Sequence, residues 1–170
     1  MPIDQVPSWL EALFASDLAL VVFFGLAVLE GAMLLRFLPS ELLVPSALFF
    51  IGSSVPEAVT IVALAVAGTT VGQAVLFVVV RRGGRNAVLE RRWVPVSEST
   101  LTRFDGWFDR WGPIVVPASN TALFVRGVFT VPAGLSEMDA RTFVPLSAVG
   151  SLSFQTILAG LYLWGGHLLA

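Results

Sequence analysis

The sequence predicts an all-α membrane protein made of two inverted halves. Each half is a re-entrant helical hairpin followed by a transmembrane helix, with an amphipathic surface helix between the halves. Three observations carry this expectation. Of 170 residues, 56% are hydrophobic and 13% are charged, with a mean hydropathy of +0.84; a water-soluble domain carries about 25% charged residues. Clean apolar stretches alternate with broken ones that hold polar side chains near their middle. Finally, the two halves of the chain can be laid on each other.

The elements follow in order. Met1 to Asp17 holds Asp4, Glu11 and Asp17 and no basic residue, so it lacks the positive start of a secretory signal. Trp9, Leu10, Leu13 and Phe14 fall on one helical face, which predicts an interfacial segment over residues 1–17 and a membrane domain over residues 18–170. Leu18 to Leu38 is apolar but interrupted by Glu30 and Arg36, and Arg36 is expected to snorkel to the interface. Leu42 to Val55 is too short to cross alone, since a spanning helix needs about 20 residues. Ala58 to Val80 and Phe143 to Ala170 are the clean spans. Pro113 to Leu135 is apolar except for Ser119, Asn120, Thr121, Arg126 and Thr130. Glu30 to Gly52 and Pro113 to Gly134 are each broken by Pro or Gly and carry ionisable or amide groups, a texture that suits re-entrant hairpins. Two ordinary kinked spans are the alternative.

Arg81 to Arg110 contains seven arginines, an excess that normally stays cytoplasmic and can hold anionic headgroups. Within it Leu101, Phe104, Trp107, Phe108 and Trp111 fall on one side of a helix, flanked by Arg103, Asp105, Asp109 and Arg110. This predicts an amphipathic helix, lying on the membrane surface or packed on a partner.

The repeat is carried by Gly68-Thr-Thr-Val-Gly-Gln73, Leu76 and Gly83-Gly84, which match Gly150-Ser-Leu-Ser-Phe-Gln155, Leu158 and Gly165-Gly166 at constant spacing. Upstream, Val44-Pro45-Ser46 matches Val131-Pro132-Ala133 after a small gap. One full crossing per half inverts the second half, and inverted repeats place a binding site near the midplane. Gln73 and Gln155 take equivalent positions and are expected to make interhelical hydrogen bonds; Gly68 and Gly72 form a small-xxx-small pair that suits close helix packing.

Several function classes find no support. Cysteine is absent, and His167 alone cannot build a zinc site. A net charge of −2 gives no case for nucleic acid. There is no P-loop, nucleotide fingerprint or Ser-His-Asp set, so neither a cofactor nor an enzymatic bond cleavage is expected.

What remains are polar groups at membrane depth. A charge there costs about 2.5–3.5 kcal/mol on insertion scales, which calls for a partner or a water-filled cavity. Glu30 and Glu41 lie on the first hairpin on either side of Pro39; Arg126 and Asn120 lie on the second. If the hairpins face each other, both carboxylates meet Arg126. Arg126 would then hold a phosphate oxygen, while Glu30 or Glu41 would bind and release a proton. A buried Arg–Glu pair that only holds the hairpins together is the alternative.

The same residues carry a family resemblance. Glu30 precedes Pro39-Ser40-Glu41; a Gly-rich span holds Gly68, Gly72, Gln73, Arg81 and Gly84; then come Phe108-Asp-Arg-Trp-Gly112, Asn120-Thr-Ala-Leu-Phe-Val-Arg126 and Val131-Pro-Ala-Gly-Leu-Ser-Glu-Met138. From Glu30 to Gly166 the chain resembles the DedA family, whose domain is also called VTT or SNARE-associated. It departs from the family pattern at Asn120, where the family has an arginine, and at Leu123, where it has proline. The resemblance implies a multi-pass cell-membrane protein that moves a polyprenyl phosphate or a phospholipid between leaflets, coupled to H+ or Na+. Two acids and two arginines form the family's functional set. Glu30 and Glu41 inherit the coupling role, and Arg126 the substrate-binding role. Asn120, at the other substrate position, offers an amide that can still donate to phosphate. The rival readings are a non-transporting structural or regulatory membrane protein and a small-solute or ion transporter of the same fold.

Overall fold

The computed structural model describes residues 18–35, 40–90, 97–121 and 129–169. Its described residues form seven α-helices and two 3-10 turns, with no strand. Helix α1 spans Ala19–Gly31. A 3-10 turn, Ser40–Leu42, leads into α2, Leu43–Phe50. Helix α3 spans Val55–Glu90, and α4 spans Glu98–Trp111. A second 3-10 turn, Gly112–Ile114, leads into α5, Val115–Thr121. Helix α6 is Thr130–Leu135 and α7 is Ala140–Leu169. The interfacial segment expected over residues 1–17 lies outside the described residues.

Two helices are long and apolar enough to cross a membrane, over Val55–Arg85 and Ala140–Gly165. Their 31 and 26 residues rise about 46 and 39 Å, against a hydrocarbon core of about 30 Å. The outward faces of these helices are apolar: Val59, Val71, Val75 and Val79 on α3, and Leu152, Ile157, Leu161 and Trp164 on α7, are exposed. A soluble protein rarely leaves so continuous an apolar surface bare.

Local chemistry sets the ends. Helix α3 starts where the Glu57 carboxylate reaches back to Ser54, whose N–H and hydroxyl both donate to Glu57 Oε2, at 2.9 and 2.7 Å. Its regular path breaks at Gly84 (φ 71°), just beyond Arg81 and Arg82, so the helix runs past Val80, where the sequence reading ended the span. Helix α1 stops in a Schellman motif: the Met33 N–H reaches Glu30 O and the Leu34 N–H reaches Leu29 O, both at 2.9 Å. Met33 takes the left-handed position (φ 60°) that glycine usually fills. Its side chain packs with Leu76, Val80, Leu101 and Val131, which compensates for the backbone cost.

This placement corrects one boundary. The sequence reading began the first broken segment at Glu30, but Glu30 closes a helix that starts at Ala19. A glutamate in an apolar run looks like a break in one dimension, whereas here it lies in a last turn with the helix behind it. At 13 residues, α1 rises about 20 Å and does not reach across a bilayer.

The short helices pack around the two long ones. Helix α1 lies on α3, α5 on α7, and α6 on α3; α2 touches both α3 and α7, which also pack on each other. Phe23, Ala27, Val44, Leu48, Ile61, Ala65 and Ala159 form one core cluster; Phe77, Val116, Ala133 and Phe143 form another. The rings of Phe77 and Phe143 stack at 4.5 Å. On α4, Leu101 and Phe104 are buried while Trp107 and Trp111 are exposed. The apolar face of this helix is therefore divided between the protein and its surroundings.

Candidate functional site

Two junctions along α3 join buried or half-buried polar residues from different helices. At the first, three glycines bring α1 onto α3. A Cβ on Gly68 would stand 2.7 Å from the Ala27 Cβ and 2.9 Å from the Phe24 carbonyl oxygen. A Cβ on Gly31 would collide with the Thr69 backbone, and one on Gly72 with the backbone of Val28, Gly31 and Ala32. This approach sets Thr69, fully buried, beside the last turn of α1. There its hydroxyl donates to Glu30 Oε2 at 3.4 Å.

Glu30 is half-buried and sits where the negative end of the α1 dipole opposes another negative charge. A carboxylate held there requires donors or cations around it. Glu41, also half-buried, has the opposite setting: it lies in the turn that starts α2, at the positive end of a helix. Arg36 and Pro39, between the two acids, lie outside the described residues.

The second junction joins α3, α5 and α7. Gln73 Nε2 donates to Asn120 Oδ1 and Asn120 Nδ2 donates to Gln73 Oε1, each at 3.1 Å. Asn120 Nδ2 also reaches the Ser147 hydroxyl at 3.3 Å and the Ser147 carbonyl at 3.4 Å. The Ser147 hydroxyl donates to Gln73 Oε1. Asn120 is 2% exposed, Gln73 1% and Ser147 0%, so these bonds form a buried interior node. Gly150 makes room for it: a Cβ there would stand 2.6 Å from the Asn120 Cβ and 2.7 Å from the Pro117 carbonyl oxygen.

The two junctions are neighbours, because Thr69 and Gln73 lie one turn apart on the buried face of α3. Glu30 and Asn120 therefore meet successive turns of one helix. Arg126, expected to complete the set, lies outside the described residues, as does Leu123. Gln73 makes the interhelical bonds expected of it, and Gln155 is fully buried on α7.

Sequence reading missed Thr69 and Ser147. The signal was present as polar residues four apart in an apolar span: Thr69 and Gln73 on α3; Ser147, Ser151 and Gln155 on α7. All five are buried. Among the described residues, the buried hydroxyls of Thr70, Thr130 and Ser151 have no hydrogen-bond partner. Each such group costs about 1–3 kcal/mol, so the interior around α3 and α7 has polar capacity left over.

At one end of α3, charged groups gather at the surface of the protein. Arg81 donates to the Met138 carbonyl oxygen. Arg85 bridges Glu98 at 3.0 Å and Asp105 at 2.9 Å, which ties the end of the span to α4. Among the described residues no group of three His, Asp or Glu side chains could hold a metal ion.

Comparison with known proteins adds the following. The VTT domain model matches residues 38–162. Undecaprenyl phosphate transporter A of Staphylococcus aureus is 25% identical over 154 residues, covering 86% of this chain and 75% of the relative. The Bacillus subtilis protein of the same name is 20% identical over 148 residues, 86% of this chain and 74% of the relative. A membrane protein of Bacillus subtilis, YkoX, is 26% identical over 142 residues, 82% of this chain and 60% of the relative. No solved structure gives a significant match.

Proposed function

Since the chain belongs to the VTT domain family, the DedA family, we propose that it carries a lipid-linked phosphate of the polyprenyl-phosphate class, or a phospholipid, between membrane leaflets, coupled to H+ or Na+. The observation that carries this reading is Glu30: a half-buried carboxylate, held by Thr69 at a glycine-packed helix junction, in a chain whose relatives include two undecaprenyl phosphate transporters. An intramembrane ionisable group marks a pathway by default.

In this reading Glu30 and Glu41 bind the coupling ion and Arg126 holds the phosphate. Asn120 has its amide turned to Gln73 and Ser147, so we assign it to holding α5 against α3 and α7.

The multi-pass, inverted architecture belongs to the same proposal. It is supported by matching contacts in the two halves. Gly68 meets the Phe24 carbonyl and the Ala27 Cβ; Gly150 meets the Pro117 carbonyl and the Asn120 Cβ. The spacing of three residues is the same in both, and Gly68 and Gly150 are the residues paired by the sequence repeat. In the second arms, α6 packs on α3, and α2 touches both α3 and α7.

The test is flux of labelled undecaprenyl phosphate and of labelled phospholipid in proteoliposomes, with and without a pH or Na+ gradient. The expected result is gradient-dependent movement that falls at least tenfold in Glu30→Gln, with insertion unchanged. A second reading, a non-transporting structural protein, is favoured by the neutral, buried Asn120 node. No lipid movement by correctly inserted wild-type protein rejects lipid transport and leaves the structural reading and the small-solute or ion transporter.

A further inference from the structure

Helix α4 separates its charges in an unusual way. At about 100° per residue, Leu101, Phe104 and Phe108 form its inward stripe, buried or half-buried. On one side of that stripe lie Glu98, Asp105 and Asp109. Glu98 and Asp105 bind Arg85, and Asp105 and Asp109 line an open cavity of about 570 Å³ with Glu137 and Asp139. On the other side lie Trp107 and Trp111, and beyond them Arg103 and Arg110. The acids thus face the protein's own Arg85 and polar loop, and the exposed arginines face away, past two exposed tryptophans.

The tryptophan side opens on a second cavity, of about 280 Å³, lined by Trp107, Trp111, Ile114, Ala118, Ser119 and Phe129. Its surface is apolar. Trp107 stacks on Phe129 at 5.5 Å, and the Arg110 guanidinium lies 5.7 Å from the Trp111 ring. The volume sits just below the range of about 300–1,000 Å³ usual for ligand sites, which suits a segment of hydrocarbon chain rather than a whole molecule.

We propose that this face of α4 is a binding site for an anionic phospholipid, with the acyl chain in the cavity beneath Trp107 and Trp111 and the phosphate on Arg103 and Arg110. Charge complementarity selects the occupant. Arginine beside tryptophan at the edge of an apolar cavity matches a headgroup layer above hydrocarbon, and the acids that would repel a phosphate are turned to the opposite flank. The site goes beyond the transport reading and stands whether or not lipid is carried between leaflets.

The experiment uses the full chain reconstituted in phosphatidylcholine vesicles. Its tryptophan fluorescence is titrated with phosphatidylglycerol or phosphatidylcholine carrying brominated acyl chains. The expected result is stronger quenching by the anionic lipid, with that excess removed in W107F/W111F. In R103Q/R110Q the half-quenching amount of phosphatidylglycerol rises by roughly thirtyfold, since each basic side chain near an anionic surface contributes about a fivefold factor. Ala118 is exposed, so A118F fills the cavity without entering the core; it lowers quenching by both lipids while the helical circular dichroism is kept. Equal quenching by the two lipids in the wild type overturns the site. So does an anionic preference that survives in R103Q/R110Q, or quenching left unchanged by A118F.

Discussion

The α1–α3 junction and the α5–α7 junction use one contact in two ways. Each sets a glycine of a long helix against a carbonyl and a Cβ of a short one. In the first, the short-helix residue is Ala27, and the contact leaves Glu30 one turn further on, at the helix end beside Thr69. In the second, the same place holds Asn120, whose amide bonds Gln73 and Ser147. The difference separates charge from framework: one junction presents a carboxylate at a helix end, and the other joins neutral side chains in a buried hydrogen-bonded node.

The largest expected effect breaks the first junction outright. Gly72→Leu forces a side chain into the backbone of Val28 and Ala32, and overpacking of this kind costs about 3 kcal/mol or more. Thermal unfolding in mild detergent followed by circular dichroism should show loss of most folded protein. Next is Asn120→Leu, which leaves Gln73 and Ser147 buried without their partner. Interhelical hydrogen bonds in membranes average only about 0.6 kcal/mol each, but stranded polar groups add to that, so the same assay should show a loss of about 2 kcal/mol. Gly68→Ala and Gly150→Ala sharpen the comparison directly. Their contacts are alike, so both should cost about 1–2 kcal/mol and differ little from each other; Gly25→Ala, with open space around it, serves as the control with no loss. The smallest effect is Arg85→Gln. Its pairs with Glu98 and Asp105 are well exposed, so less than about 1 kcal/mol is expected, reduced further by added salt.

Much of this was legible in the sequence, for definite reasons. The two long apolar helices were visible because about 20 apolar residues in a row have few other uses. The Gly68-to-Gln73 and Gly150-to-Gln155 match located both glycine contacts, since only glycine allows such approach. What could not be read was direction. Glu30 looks like an interruption until a helix is drawn behind it from Ala19. Asn120 looks like a ligand by its place in the family motif, but its partners Gln73 and Ser147 lie 47 and 27 residues away. Trp107 and Trp111 were assigned to one apolar face with Leu101 and Phe104. Only the packing of α4 on its neighbours shows that this face is shared between the protein interior and an open cavity.

The most direct measurement of the division between charge and framework pairs two variants, Glu30→Gln and Asn120→Leu. Both are reconstituted, and lipid flux is divided by the amount of folded, inserted protein. Glu30→Gln should keep the thermal midpoint and lose at least tenfold in flux per folded molecule; Asn120→Leu should lower the midpoint and keep most of its flux. Full flux in Glu30→Gln, together with a stable but inactive Asn120→Leu, would contradict the assignment and move the working group to the amide node.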